Sequence, residues 1–401
     1  MSLPDFRVRH GLDAGGIGHF MKGNVLNDLI RERIQRARKH LAELESDTLM
    51  VLSDENRFYL SGFSGLDGGY NESAGILLIT RDRLILATDG RYNVQAETEA
   101  PLYEVVCYPA GLARVLPDLL ADLGTRRLGF EAGRMPHADY LRISKALEDK
   151  GLNILLTDAA PVLDRLRVQK EPFEIDAIRR ALAFAENAFE LFVSYDLVPG
   201  MTEKEAAWGL ERRMREMGAD GLSFPIIAAF GENSALPHAV CGDRVAQPGM
   251  PLLFDWGGRA GGYCSDTTRS FVLGKADSDY RKVHQAVYDA HMKAVEAIQP
   301  GVSAKAVDAA ARDHIDRAGF GGKFSHGLGH GVGLAIHEPP RVSSQSEDVL
   351  EEGMVVTVEP GIYLPGWGGV RLENMAVVRS HGAEVLNRLS LAHTEPGGRS
   401  P

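Results

Sequence analysis

The sequence predicts two domains: an α/β domain comes first, followed by an α+β domain that contains an internal repeat. A single hydrophobic core rarely grows beyond about 250–300 residues, and this chain has 401. Short apolar runs alternate with helical patterns in the first part, whereas a helix-plus-hairpin scheme occurs twice in the second. We therefore expect an arm at residues 1–23, domains at 24–165 and 166–392, and a disordered tail rich in Gly, Pro and Ser at 393–401.

The first domain shows the pattern of buried strands between helices. Apolar residues recur at helical spacing over residues 26–44, which predicts a first helix. Short apolar runs bounded by turn residues then predict strands. These runs are residues 49–52, 74–80, 84–88, 128–131 and 152–156. No glycine-rich phosphate loop accompanies them, so the fold of this domain alone assigns no function.

The second domain repeats a pair of helices. Thr202 and Glu205 form a capping box, which predicts that a helix begins there. A Pro-Gly pair precedes this helix at Pro199-Gly200 and recurs at Pro300-Gly301. The helices of the second copy are predicted at residues 280–298 and 305–318.

Each copy of the repeat ends in a hairpin that carries two acids. A seven-residue stretch ending in Asp255 aligns without a gap on a stretch ending in Glu359. A glycine-rich turn and a returning strand follow in both copies and bring Asp266 and Glu373. Residues equidistant from the turn of an antiparallel hairpin face each other, with Cβ atoms ~4.5–5.5 Å apart. We therefore expect Asp255 opposite Asp266, and Glu359 opposite Glu373.

Facing carboxylates point to a metal site. Two like charges so placed repel each other, or one takes up a proton, unless a cation lies between them. The alternative is that the acids are exposed on the surface. Their apolar neighbours, however, indicate buried strands, where a carboxylate needs a partner. Two such hairpins in one chain favour the metal interpretation.

The segment of residues 325–339, between the hairpins, supplies a nitrogen ligand in this interpretation. It holds three histidines among many glycines, which let the backbone approach a site closely. A lone histidine is more often a packed or exposed side chain than a ligand, but here His330 is the expected ligand. His326 and His337 would then serve substrate binding or proton transfer, and Glu338 would be structural.

The donor set indicates the kind of metal. Four carboxylates and one imidazole without a thiolate suit Mn²⁺, Co²⁺ or Fe²⁺ better than a structural zinc. So many acids suit two ions ~3.5–4 Å apart that share bridging carboxylates. Such a pair lowers the pKa of a shared water and polarises a carbonyl oxygen.

Composition excludes several other classes of protein. The net charge of −11 argues against nucleic acid as the main partner. No apolar run approaches the ~20 residues of a membrane span, and the first residues lack the apolar core of a signal peptide. The three scattered cysteines form no CxxC pair, which suits a cytoplasmic protein.

The second half of the chain resembles the pita-bread metallopeptidases, which include Xaa-Pro dipeptidase (prolidase), aminopeptidase P, creatinase and methionine aminopeptidase. The motifs that carry the resemblance are Phe254-Asp255, Ser265-Asp266-Thr267-Thr268-Arg269, His326-Gly327-Leu328-Gly329-His330-Gly331, His337-Glu338-Pro339, Val358-Glu359-Pro360-Gly361 and Val370-Arg371-Leu372-Glu373. The first domain resembles the creatinase-like N-terminal domain of the family in Tyr59-Leu60-Ser61-Gly62-Phe63 and Thr88-Asp89-Gly90-Arg91-Tyr92. The match covers residues 24–392, and Asn374 departs from it because many relatives have aspartate there.

The resemblance implies a role for each predicted ligand. Asp255 would bind one ion, and His330 and Glu359 would bind the other. Asp266 and Glu373 would bridge the two ions. The fold implied is a creatinase-like α/β domain followed by a pita-bread α+β domain with a pseudo-twofold repeat.

The resemblance also implies the catalytic and substrate-binding groups. Glu359 would take the proton from the attacking water, and His337 would contact the substrate and stabilise the tetrahedral intermediate or move protons. His238 and His326 would line the substrate pocket, His238 close to the catalytic groups. Arg371 would support the carboxylates at that pocket. Two alternatives stay open: His238 as an exposed loop residue, and Arg371 as a purely structural ion pair.

The implied activity is hydrolysis of the bond between an N-terminal residue and proline by a hydroxide held between two metal ions. Xaa-Pro dipeptides or short peptides would be the substrates, and the protein would be a homodimer. One alternative is a dimethylsulfoniopropionate lyase or another non-peptidase enzyme on the same scaffold, since such relatives keep metal ligands. Another is a non-catalytic pita-bread binding module, although those relatives have lost ligands and this chain has all five.

Overall fold

The structure is a computed structural model that describes residues 23–67, 72–109 and 111–392. The chain divides between Arg167 and Val168 into two compact units. The sequence-based prediction placed this boundary between residues 165 and 166. The predicted arm and tail lie outside the described residues, apart from Gly23, which begins the first helix.

The N-terminal unit is a sheet with helices between its strands. Its elements are α1 (Gly23–Glu43), β1 (Thr48–Val51), α2 (Asp54–Ser61), β2 (Ile76–Thr80), β3 (Leu84–Thr88), α3 (Asn93–Glu99), β4 (Glu104–Cys107), α4 (Leu112–Asp122), β5 (Arg127–Phe130), α5 (His137–Asp149), β6 (Leu155–Asp158) and α6 (Ala160–Arg167). The strand order is β4-β3-β2-β1-β5-β6. The pairs β3–β4, β1–β5 and β5–β6 are parallel and the others antiparallel, as a mixed α/β sheet requires.

One strand of this unit begins later than the sequence predicts. The apolar run at 152–156 predicts a strand, but β6 begins only at Leu155, which lies opposite Arg127 of β5. Gly151 has a φ of 68° and reverses the chain after α5, so the next residues belong to the connection. The parallel pairing with β5, which the local pattern does not show, sets the start of this strand.

A buried acid fills the most obvious anion site of the N-terminal unit. The carboxylate of Glu131 accepts hydrogen bonds from the backbone nitrogens of Leu52 and Ser53, at the start of α2. It also accepts from the side chains of Ser53 and Asn56. A helix N-terminus attracts anions, and here the chain supplies its own.

The C-terminal unit consists of two helix pairs and a set of small antiparallel sheets. Its elements are α7 (Pro172–Leu191), α8 (Glu203–Glu216), β7 (Gly221–Leu222), β8 (Ile227–Phe230), β9 (Pro251–Trp256), β10 (Gly258–Ala260), β11 (Tyr263–Cys264), β12 (Thr267–Val272), α9 (Ser278–Ala297), α10 (Ala304–Ile315), β13 (Gly329–Gly331), β14 (Glu338–Val342), β15 (Val355–Val358), β16 (Gly361–Leu364), β17 (Gly368–Arg371), β18 (Asn374–Arg379) and β19 (Gly382–Val385). As predicted, α8 begins at a capping box between Thr202 and Glu205. Within the described ranges, no helix combines the length and apolarity that a membrane span needs.

The internal repeat is visible in matching backbone hydrogen bonds. In the first copy, Ala246 exchanges two backbone hydrogen bonds of 2.8 Å with the turn at Gly200-Met201. In the second copy, Leu350 exchanges bonds of 2.8 and 2.9 Å with the turn at Gly301-Val302. Ala246 and Leu350 are 104 residues apart, as are the two aligned hairpin acids. The predicted repeat is therefore confirmed.

Each copy of the repeat packs around its own core, and the strands that carry the acids have one face in it. In β9, Phe254 and Trp256 are fully buried, and the ring of Trp256 stacks on Phe189 with centroids 4.0 Å apart. Successive residues of a strand point to opposite faces, so Asp255 lies on the other face. In the same way Val358 of β15 lies in the second core and Thr357 does not. Apolar packing on one face thus fixes the direction of the acids on the other.

Candidate active site

A cavity of about 1870 Å³ opens in the C-terminal unit. It brings together every residue that the sequence predicts for the site. The lining includes Asp255, Asp266, His330, Glu359, Glu373, His238, His326, His337 and Arg371. Part of the wall is apolar, with Phe224 and Ile226 among its side chains. The acids lie at the wall formed by the two hairpins.

Three predicted ligands meet at one point. Single ligand atoms of Asp266, His330 and Glu373 all lie within 4.8 Å of one another, which is close enough for one ion to bind them all. His330 Nε2 is 3.6 Å from Asp266 Oδ2 and 3.4 Å from Glu359 Oε1. The charge of Asp255 also acts on the other three acids. The four carboxylates therefore form one buried cluster around the imidazole.

The first hairpin reaches this arrangement with a different register from the predicted one. Asp255 pairs with Thr268 rather than with Asp266, so that prediction is wrong by two residues. The turn consists of Gly261 and Gly262, whose φ angles of 57° and 85° suit a two-residue hairpin turn, and it lies one residue beyond the predicted centre. A shift of two residues keeps Asp266 on the same face of the ribbon, so it still reaches the cluster.

The second hairpin has the predicted register. Val358 pairs with Asn374, and Gly361 pairs with Arg371. Glu359 and Glu373 lie between these two pairs at positions equidistant from the turn, as the sequence predicts.

Hydrogen bonds orient the predicted ligands. The Nδ1 of His330 is 3.1 Å from the carbonyl oxygen of Gly331, which can only accept, so Nδ1 carries the proton and Nε2 faces the acids with a lone pair. Thr357 donates to Glu359 Oε1 at 3.1 Å, and Thr268 donates to Glu373 Oε2 at 2.6 Å. Each of these hydroxyls leaves the other oxygen of its carboxylate available to a metal ion.

Arg371 joins the acids to the histidine side of the cavity. Its guanidinium is buried and donates to Asp255 Oδ2 at 2.6 Å, to Thr268 Oγ1 at 3.1 Å and to the Tyr363 hydroxyl at 2.9 Å. The Tyr363 oxygen is 2.8 Å from His326 Nε2. Because His326 Nδ1 donates to the Gly327 carbonyl, Nε2 must accept from Tyr363. The hydrogen bonds thus connect the Arg371 guanidinium, through the Tyr363 hydroxyl, to the neutral imidazole of His326.

The electrostatics of the cluster resist a full set of negative charges. Burial raises the pKa of Glu359 to about 8, although Arg371 opposes the shift. Burial, together with the charges of neighbouring acids, raises the pKa of Asp266 and Glu373 well above their ordinary values. Burial lowers the pKa of His330 and His326 to about 4. Without a cation, the site therefore favours protonated acids and neutral imidazoles.

These residues fit divalent metal ions. The Oδ1 atom of Asp255 is buried and has no hydrogen-bond partner among the residues that the structure describes, although the other oxygen is bound to Arg371. A buried acceptor without a partner is costly, and a cation at this atom would satisfy it. Carboxylate oxygens and one imidazole nitrogen are ligands that Mn²⁺, Co²⁺, Fe²⁺ and Zn²⁺ all accept.

Two further histidines face the cluster. The ring of His337 meets the ring of His330 edge to face, with centroids 4.3 Å apart. His238 is close enough to lower the pKa of both His326 and His337, for which burial is the larger cause. His238 and His337 are exposed within the cavity. Both are therefore accessible to a substrate.

Sequence reasoning missed Thr268 and Tyr363 as parts of the site. Both are buried and each contacts Arg371. Strand periodicity could have found Tyr363, since it follows Glu359 by four residues and so points to the same face of its ribbon. Thr268 depends on the register of the first hairpin, which the sequence did not show.

Substituting Arg371 with lysine should lower metal affinity and activity without unfolding the protein. A lysine keeps the charge but cannot donate to Asp255, Thr268 and Tyr363 at once. Loss of such a supporting contact typically costs about 10–100-fold in metal affinity or activity. Titration of metal-free protein with Mn²⁺, followed by activity, measures both quantities. Unchanged Mn²⁺ affinity in Arg371→Lys would show that Arg371 does not hold the ligands.

Comparison with known proteins places this site in a family. Residues 176–380 match the model of Metallopeptidase family M24, and residues 33–169 match the Creatinase/Prolidase N-terminal domain.

The chain belongs to metallopeptidase family M24.

Proteins similar to this chain include some named Xaa-Pro dipeptidase and one named X-Pro aminopeptidase. The chain is 34% identical to Xaa-Pro dipeptidase of Pyrococcus furiosus over 90% of its own length and 98% of the relative's. Among solved structures, Xaa-Pro dipeptidase from Bacillus anthracis is similar with a TM-score of 0.84, at 35% identity, over 91% of this chain and 99% of the other. X-Pro aminopeptidase from Thermotoga maritima is similar with a TM-score of 0.77, also at 35% identity, over 87% and 97%.

Membership of the M24 family confirms the predicted fold, a creatinase-like N-terminal domain followed by a pita-bread domain. The chain is an enzyme, a metallopeptidase, so the alternative of a non-catalytic binding module is set aside. Members of the family use divalent metal ions, and the cluster of Asp266, His330 and Glu373 is the candidate site for them.

Proposed function

We propose that this chain hydrolyses the peptide bond between an N-terminal residue and proline, in dipeptides or short peptides. The observation that carries the proposal is the convergence of Asp266, His330 and Glu373 on one point of a large cavity. Support comes from relatives named Xaa-Pro dipeptidase and X-Pro aminopeptidase that match nearly the whole chain.

The proposed metal ligands are Asp255, Asp266, His330, Glu359 and Glu373. They would hold two divalent ions, with Asp266 and Glu373 shared between them. When bound, the ions would supply a water of lowered pKa and polarise the scissile carbonyl. The oxygen-rich donor set favours Mn²⁺, with Co²⁺, Fe²⁺ or Zn²⁺ as alternatives.

Glu359 is proposed to accept the proton of the attacking water. Its Oε1 accepts a hydrogen bond from the Thr357 hydroxyl at 3.1 Å, which holds the carboxylate in place. Glu359 or a histidine then returns a proton to the proline nitrogen, as general acid–base catalysis requires.

The histidines are proposed to bind and stabilise the reacting carbonyl. His337 and His238 are exposed to the cavity, and partial burial lowers the pKa of His337, so its neutral ring can accept a proton or donate a hydrogen bond. His326 and Arg371 are proposed to shape the substrate-binding side. Arg371 acts there by holding Asp255 and Tyr363, since its nitrogens already donate to protein atoms.

A panel of three substrates tests the proposed function. Purified protein loaded with Mn²⁺ is incubated with Ala-Pro, with a longer Xaa-Pro peptide, and with dimethylsulfoniopropionate, and Ala-Ala serves as the matched control. Proline release from Ala-Pro alone would define a dipeptidase, and release of the first residue from the longer peptide an aminopeptidase. The cavity of about 1870 Å³ exceeds a typical small-ligand pocket, so its size admits both. Acrylate without proline release would identify a lyase and overturn the proposal.

The protein is further proposed to be a cytoplasmic homodimer. Cys107, Cys241 and Cys264 are thiols rather than halves of disulfides, which suits a reducing compartment. Light scattering of the purified protein measures the oligomeric state directly. A monomeric mass at working concentration would contradict the homodimer.

A further inference from the structure

A buried ion pair lies directly behind the histidine segment of the site. Lys170 Nζ is 2.7 Å from Glu338 Oε1, and the two side chains are 1% and 3% exposed. Lys170 Nζ also donates to the carbonyl oxygen of Val168 at 3.2 Å. Replacing a buried pair by apolar residues often leaves stability equal or greater, so stability alone does not account for the pair.

The lysine end of this pair is fixed to the second hairpin. The backbone nitrogen of Lys170 donates to Gly353 O at 2.9 Å, and Gln169 forms a bridge with Met354. These residues lie immediately before β15, the strand that leads to Glu359. The backbone that carries the Lys170 ammonium group is therefore fixed to the start of β15 in the C-terminal unit.

The glutamate end of the pair fixes the chain around His337. Glu338 Oε2 accepts from the backbone nitrogen of Ala335 at 3.3 Å. Its carboxylate packs so closely on Gly333 that a Cβ there would lie 2.4 Å from Oε1. The carbonyl oxygen of Gly333 in turn accepts from Cys264 N at 2.8 Å, two residues before Asp266. The carboxylate of Glu338 thus holds the loop of residues 333–338 together, and the Gly333 carbonyl joins that loop to the first hairpin.

His337 depends on this loop for its direction. Glu338 is buried in its pair with Lys170, whereas the adjacent His337 is exposed in the cavity lining, so fixing Glu338 also fixes the backbone next to His337. The His337 side chain is exposed, and among the described residues its ring contact is with His330. An exposed ring has few packing partners, so the backbone of the loop helps to set its position.

We propose that Lys170 is a positioning residue for His337, acting through Glu338. This inference rests on the proposed function, in which His337 contacts the substrate. Lys170 itself touches no reacting group. Its pair with Glu338 holds the loop in the one arrangement that places the His337 ring 4.3 Å from the ring of His330.

A cycle of variants tests the proposal. Lys170→Met alone leaves a buried carboxylate without its cation, so the main variant combines Lys170→Met with Glu338→Gln and leaves no unpaired charge. This neutral-pair variant should lower kcat by about 10–100-fold, the range for loss of a supporting contact, with a much smaller change in KM. Added to His337→Ala, the same two substitutions should change kcat by no more than about two-fold, because their effect passes through His337. Gln169→Ala, which removes the exposed contact between Gln169 and Glu351, is the matched control and should keep wild-type kcat.

A wild-type kcat in the neutral-pair variant would overturn the proposal. So would a triple variant in which the loss of kcat from the neutral pair multiplies the loss from His337→Ala. An unchanged loop in the crystal structure of the neutral-pair variant would also overturn it. That crystal structure is a readout independent of activity. It should show residues 333–338 displaced and the ring of His337 moved away from the ring of His330. Wild-type protein that releases no proline would defeat the proposed function instead. The crystal structure would still decide whether the pair positions His337.

Discussion

Replacing Asp266 with alanine is expected to remove both the bound metal and the peptidase activity. Asp266 is buried, and one of its oxygens lies within 4.8 Å of ligand atoms of both His330 and Glu373. If it bridges two ions, its loss weakens both sites. Loss of a mere supporting contact costs about 10–100-fold, so loss of a bridging ligand should lower kcat/KM by more than about 100-fold. Glu373→Ala should behave in the same way.

Metal analysis and kinetics of the same preparation measure this prediction. Glu352→Ala is the matched control, because Glu352 is an exposed acid in the second copy of the repeat, seven residues before Glu359. It should keep wild-type metal content and turnover. Full turnover in Asp266→Ala or Glu373→Ala would contradict the assignment of the bridging ligands.

Metal-free protein should lose stability as the pH rises from 7 to 9. The folded-state pKa of Glu359 is raised to about 8, and the pKa values of Asp266 and Glu373 are raised in the same direction. In the unfolded chain these acids ionise near pH 4, so above that pH the folded state binds more protons. Stability is therefore greatest below the unfolded pKa and is lost as the pH passes through the folded value. Each proton that the folded state retains costs about 1.4 kcal/mol per pH unit in this window.

The histidines do not change the free energy of unfolding between pH 7 and 9. The pKa values of His326 and His330 are lowered to about 4 in the folded protein, against about 6.5 in the unfolded chain. Their effect is a loss of stability as the pH falls below about 6.5, and above pH 7 they are neutral in both states.

Urea unfolding of chelated protein at pH 7, 8 and 9 measures the free energy of unfolding directly. Glu359→Gln should reduce the loss, because the amide does not titrate. Saturating Mn²⁺ should raise stability most at high pH, where the ion neutralises ionised carboxylates. A free energy of unfolding that stays level or increases from pH 7 to 9 would show that the acids do not form a buried cluster.

The sequence predicted the repeat and the members of the cluster because both depend on local patterns. The aligned stretches around Asp255 and Glu359, the helix cap at Thr202 and the glycine-dense histidine segment can each be read within a short window. The structure brings Asp255, Glu359 and the histidine segment to one cavity.

Features that depend on distant pairing were not predictable from the same patterns. The two-glycine turn moved the register of the first hairpin, which placed Thr268 rather than Asp266 opposite Asp255. The Lys170–Glu338 pair joins residues 168 positions apart, and no periodicity links them. Long-range contacts of this kind are set by packing of whole elements, which a local reading does not contain.

Anomalous diffraction from crystals of Mn²⁺-loaded protein would locate the bound ions. We expect two peaks about 3.5–4 Å apart, as in two-metal hydrolases, in contact with Asp255, Asp266, His330, Glu359 and Glu373. Peaks elsewhere, or none within reach of these five side chains, would contradict the proposed two-metal site.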